Sequence, residues 1–241
     1  MLACAMRSLK HLVGLLSIAA VSSALASPAR QSADHAPASS PMVTFTLNFP
    51  HSEPENYSIS IDSAGHARYE CTGSVIPDSQ PDTYRSEFEV SPDSREKIFG
   101  WARQAHYFAG NVDSGNHKLA FTGTKILAYH DAQHDNAARY DYSNLAPVRE
   151  LTDLFQGMAT TLEYGRRLVY YHRYQKLALD DELKRMEAQA RNNELSEIQS
   201  LTPVLQEIVD DNSVLNITRA RAQELMQLGH GGRVMAGHNQ R

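Results

Sequence analysis

At Ala146 the chain changes its hydrophobic period, and that switch limits its architecture more than any other feature. Before it, apolar residues recur at every second position. Phe45, Leu47 and Phe49 alternate with Thr44, Thr46 and Asn48, and Tyr57, Ile59 and Ile61 alternate with Ser58, Ser60 and Asp62. Strict alternation describes a strand with one wet face. Gly65 can take the positive φ of a tight turn, so residues 57–71, with Tyr69 and Cys71 on one face, read as a hairpin. Tyr84, Ser86, Phe88 and Val90 oppose Arg85, Glu87 and Glu89 in a fourth strand. Ser91-Pro92-Asp93 is a helix start, with a capping serine, a proline suited to the first turn and an acid that complements the dipole. Ile98, Trp101, Ala102, Ala105 and Phe108 then fall at helical spacing. Short strands are expected at 118–122, 125–130 and 137–142.

After the switch, Val148, Leu151, Phe155, Met158 and Leu162 step by three and four, with Val169 continuing the stripe past Gly165. This predicts one helix over 146–174, about 40 Å long. Leu179, Leu183, Met186 and Ala190 predict a second. Leu195, Ile198, Leu201, Leu205 and Ile208 predict a third, with Pro203 a kink or boundary, and residues 214–228 a fourth. The fold class is therefore α+β: an antiparallel sheet at 42–145 packed by one short and one long helix, followed by an all-helical region at 146–228. Residues 229–241, with four glycines, read as a loose tail.

The first 26 residues carry Arg7 and Lys10, an apolar or small run over 12–26, and Ala24-Leu25-Ala26, which together describe a cleavable export signal. The run is too short for a membrane span. Residues 27–41, rich in Ala, Ser and Pro, read as a flexible linker. Export to the periplasm or the extracellular space is expected, with no transmembrane span once the signal is removed. The full chain has 23 basic and 28 acidic residues, net −5, and loss of Arg7 and Lys10 takes it to −7. That balance argues against nucleic acid. Loss of Cys4 leaves Cys71 alone, so no intramolecular disulfide can form, and the thiol reads as buried and inert.

The run from Tyr57 through Gly65 to Tyr69, followed by a charged strand and then by Ile98 to Phe108 at helical spacing, resembles small exported bacterial domains of unknown function. The resemblance spans 42–162 and carries no activity with it.

Two segments hold candidate chemistry. His130-Asp131-Ala132-Gln133-His134 places two histidines four apart around a carboxylate, a zinc-site spacing if helical. It lies between two strand-like runs, however, and reads as a hairpin loop. His106, His117, His230 and His238 are further isolated histidines. Residues 164–176 concentrate Tyr164, Arg166, Arg167, Tyr171, Arg173, Tyr174 and Lys176 with Tyr170, a set that can engage acidic protein surfaces or anionic polymers. The sequence contains no phosphate loop, nucleophile elbow or dinucleotide fingerprint, and no cofactor is implied. The reading is an exported, non-catalytic binding or scaffold module contacting a protein or an anionic envelope polymer, with the C-terminal helices a possible homo-oligomer contact. The alternative is a metal-dependent hydrolase using His130 and His134.

Overall fold

A computed structural model describes residues 40–230 except His51, Asp78 and His117. The expected export signal, nearly all of the expected linker at 27–41, residues 231–241 with His238, and His117 lie outside the described residues. Six strands form one antiparallel sheet: β1 (Met42–Asn48), β2 (Asn56–Asp62), β3 (His66–Gly73), β4 (Asp82–Glu89), β5 (Thr124–His130) and β6 (Asp135–Tyr140), in the order β4-β3-β2-β1-β5-β6. The alternation sets the register. Val43 faces Ile61 and Tyr129, and Phe45 faces Ile59 and Leu127. Ile59 in turn faces Tyr69, so every inward side chain of these rows joins one core. Gly65 takes φ +105° at the β2–β3 turn. There one Asp62 oxygen accepts the backbone N–H groups of Ala64, Gly65 and His66 at 2.9–3.0 Å.

Helix α1 (Pro92–Gln104) begins where expected, with the Ser91 hydroxyl accepting the Ser94 N–H. It crosses the sheet face together with α2 (Ala146–Tyr174), whose Phe155 stacks on Phe45 with ring centroids 5.3 Å apart. Beyond them lie α3 (Leu179–Arg191), α4 (Thr202–Asp210) and α5 (Asn216–His230). Pro203 sits in the first turn of α4, a boundary rather than a kink, and Leu195 precedes the helix in a loop.

Four expectations need correction. Residues 118–122 form no strand. Asn111, Asp113 and Asn116 side chains bond to backbone N–H groups two residues on, and Asp141 takes the Thr122 N–H, so local side chains replace a ladder. The last strand runs over Asp135–Tyr140, two residues earlier than its apolar pattern suggested. The fifth helix continues through Gly229 and His230, where a tail was expected. Val169 does not continue the apolar stripe and is 55% exposed, whereas Leu168 is fully buried.

The last correction has a structural cause. Up to Leu162 the buried face of α2 rests on the sheet, but Tyr164 and Leu168 belong to a second core with Leu179, Leu183, Met186, Leu205 and Ile208. The helix thus passes from one core to the other. Its small-residue positions Gly157 and Gly165 let residues 194–201 lie against it: a Cβ at Gly157 would meet Ser196 Oγ at 2.7 Å, and one at Gly165 would meet a Leu201 methyl at 2.5 Å.

Candidate functional site

The residues picked out at 164–176 separate onto two sides of α2. Tyr164, Arg167 and Tyr171, spaced three and four apart, turn toward the second core. Arg167 lies over the Tyr164 ring, 4.7 Å from its centroid, and pairs with the buried Glu182, which also takes Arg185. Lys176 is held by Asp211 at 2.5 Å, and Asp211 also contacts His172 at 2.9 Å. These cations neutralise acids of the same fold.

Arg166, Tyr170, Arg173 and Tyr174 turn the other way, toward the edge strand β4. With Tyr84 and Val169 they line a cleft of about 190 Å³. The cleft has a built floor. Arg166 is 6% exposed, and its guanidinium donates to the Gly73 carbonyl at 3.0 Å, pairs with Asp82 and lies over the Tyr84 ring at 5.2 Å. Beneath it Glu163, also buried, accepts the Tyr69 hydroxyl at 2.7 Å and the Cys71 thiol at 3.2 Å, with Arg166 Nη1 3.7 Å from its other oxygen. A buried carboxylate and guanidinium need such partners on every side. Burial and the Glu163 charge push the Cys71 thiol up to about 12, so the cysteine is an inert part of the floor. Burial, reinforced by the same charge, also raises the Tyr69 phenol.

Above this floor the rim is open. Tyr174 is 63% exposed, and Arg173 lies over its ring at 5.4 Å and makes no ion pair among the described residues. Tyr170 packs edge-on against Tyr171 and tilted against Tyr174. The rim therefore offers one uncommitted guanidinium on a bed of aromatic faces, backed by a second guanidinium fixed from below.

Sequence reasoning missed Tyr84, Asp82, Tyr69 and Glu163. Glu163 did carry a signal, a carboxylate directly after Leu162 in the apolar stripe of a long helix. Its partners lie 92 and 94 residues away, a separation no local pattern reveals.

The histidines of the β5–β6 hairpin do not converge on a site. His130 ends β5, 3.3 Å from Asp135, while His134 lies in the loop. The Asp131 carboxylate accepts the His134 backbone N–H at 2.7 Å and contacts the His134 ring at 3.1 Å. Backbone N–H donation, led by Gln133, holds the Asp131 carboxyl down at about 2. The imidazole stacks on Tyr107, with centroids 4.1 Å apart. Tyr107 is the middle of three consecutive left-handed residues, His106, Tyr107 and Phe108. Among the described residues, no three His, Cys, Asp or Glu side chains form a group able to hold a metal, and no helix is long and apolar enough to cross a membrane. No protein-family model matches the chain, and no curated protein matches it either.

Proposed function

We propose that the protein is an exported, non-catalytic binding module that takes an acidic, extended segment of a protein partner in the cleft between β4 and α2. The observation that carries this reading is the exposed Arg173 and Tyr174 rim above the buried Arg166 floor. Guanidinium groups lying over aromatic rings favour carboxylates presented beside apolar carbon. The cleft volume suits one or two side chains and falls below the range of small-molecule and cofactor sites. The hydrolase alternative draws no support from the hairpin, where each histidine faces its own aspartate.

A fluorescein-labelled oligo-glutamate, followed by anisotropy, tests the proposal on the full chain. Binding should weaken as salt rises from about 0.05 M to about 0.5 M. It should also fall several-fold in Arg173→Ala and in Tyr174→Ala, two exposed changes that leave the Arg166 floor intact. An oligo-lysine control should not bind. No binding, or binding indifferent to both substitutions, defeats the proposal. Selective binding of polygalacturonate instead would point to an envelope polymer.

A further inference from the structure

The sheet has two edge strands, and the chain that follows one of them is engaged by another segment. Beside β6, residues 112–114 engage the chain just after the strand: the Ser114 N–H donates to the Tyr142 carbonyl, Asp113 accepts the Asp141 N–H, and Ser143 donates to the Val112 carbonyl. Strand β4 is two residues longer. Beyond its ladder to β3, no backbone N–H or C=O of residues 82–89 has a hydrogen-bond partner among the described residues. An open edge of this length is a template for another strand.

The charges along β4 select which strand. On the solvent face of the sheet, Arg68 of β3 faces Glu87 of β4 and Glu70 faces Arg85, and both pairs make ion contacts, at 3.3 Å and 2.9 Å. A two-fold axis perpendicular to the sheet would bring a second β4 antiparallel to the first. Facing residues must then share a sheet face, which leaves registers centred on single residues. Centred on Arg85, the register sets arginine against arginine. Centred on Glu87, it sets glutamate against glutamate on the axis, with Arg85 against Glu89 on either side and Ser86 against Phe88 on the other face. Centred on Ser86, it sets Arg85 against Glu87 of the second copy, twice.

In that last register the solvent-face row reads Arg68, Glu87, then Arg85 and Glu70 of the second copy, with signs alternating across four strands. On the helix-packed face the same register sets Tyr84 against Phe88 of the second copy, an aromatic cross-strand pair, again twice. The strand is self-complementary in charge and in side-chain type on both faces, as an isologous contact requires.

We infer that a second copy of this chain pairs with β4 in the register centred on Ser86, joining two six-stranded sheets into one of twelve strands. The inference does not rest on the acidic-segment reading: Tyr84 serves both, but the register is selected by Arg85 and Glu87, and neither lines the cleft. It also places the contact on the sheet edge and not on the C-terminal helices.

Sedimentation equilibrium on the full chain tests it. The wild type should move toward twice the monomer mass as concentration rises. Arg85→Glu and Glu87→Arg should each weaken association about tenfold or more, and the double reversal should regain part of the loss, since the pairs across the axis are inverted while those with Arg68 and Glu70 within each copy turn repulsive. Circular dichroism should stay unchanged throughout, both side chains being exposed.

Ser86→Cys should give a covalent dimer with a short bis-maleimide, because the residue faces its own copy. Thr83→Cys should not, because its counterpart lies about 20 Å along the strand. Both variants carry Cys4→Ser as well, and Cys71 is buried and does not compete. A monomer at every concentration, a dimer indifferent to single reversals, a double reversal that associates no more tightly than either single one, or equal cross-linking at both positions would overturn the inference.

Discussion

The two halves of α2 are built by different rules. From Val148 to Leu162 its inner face is aliphatic and aromatic, and it meets a sheet whose alternating residues were already in place. From Glu163 onward the helix is held as much by charge: Glu163 with Arg166, Glu182 with Arg167 and Arg185, and Asp211 with His172 and Lys176. The first half depends on shape. The second depends on exact partners, because a buried charge that loses its partner costs several times what the pair contributes. One continuous helix links the two cores, so disturbance at either end should reach the other.

That coupling can be broken in a measurable way. Phe155 is fully buried and stacked on Phe45, so Phe155→Ala should cost about 3–5 kcal/mol. Leu183, fully buried in the second core, should cost about 2–5 kcal/mol as Leu183→Ala. The sole tryptophan, Trp101, lies on α1 beside the sheet and reports the first core, whereas far-UV circular dichroism weights the helices. In urea, both variants should shift both signals together, as a single cooperative transition requires. Two separated transitions would mean that α2 does not couple the cores.

A smaller effect sharpens the comparison at a second junction. Glu197, from the loop before α4, reaches the start of α1, where it accepts the Ser91 N–H at 2.6 Å and the Ser91 hydroxyl at 2.8 Å. It also accepts the Ser94 hydroxyl at 2.5 Å. A carboxylate at a helix N-terminus satisfies orphan donors and complements the dipole. Glu197→Gln keeps the shape and removes the charge, so it should cost about 1.5–3 kcal/mol in urea unfolding. A negligible loss would leave α2 as the principal bond between the cores.

These junctions mark where the sequence could be read and where it could not. The sheet was accessible because alternation at Phe45, Ile59 and Phe88 is a local record of which face is wet. The 146–174 helix was equally plain, since its stripe persists for four turns. The exit from that stripe at Val169 was not, because the helix changes its packing partner there and periodicity carries no information about partners. The candidate cleft failed for the same reason. Its cations at 164–176 stood out by composition, yet which of them face acids of the same fold depended on Glu182, Asp211 and Asp82, dozens of residues away in two of the three cases. Asn111, Asp113 and Asn116 misled in the opposite sense, since side-chain bonds to the backbone stand where the neighbouring residues favour a strand.

The gentlest probe of the contrast is the Cys71 thiol, which sits at the meeting of shape and charge. Its ordinary value near 9 is pushed up to about 12 in the folded chain, by burial first and then by Glu163. The sign follows directly. Below pH 9 the thiol is protonated in both states and contributes no pH dependence. Between 9 and 12 the unfolded chain ionises first, so stability is lost as pH rises. At pH 10 the loss from this group is about 1.4 kcal/mol. Cys71→Ala removes the group, so the stability difference between wild type and variant should narrow in favour of the variant from pH 8 to about pH 10. Iodoacetamide should leave Cys71 of the folded wild type unmodified over the same range and label it once urea opens the core. A difference independent of pH, or rapid labelling of the native chain, would mean that the cysteine is not sealed beneath Arg166, and the cleft floor would then have to be redrawn around an accessible Glu163.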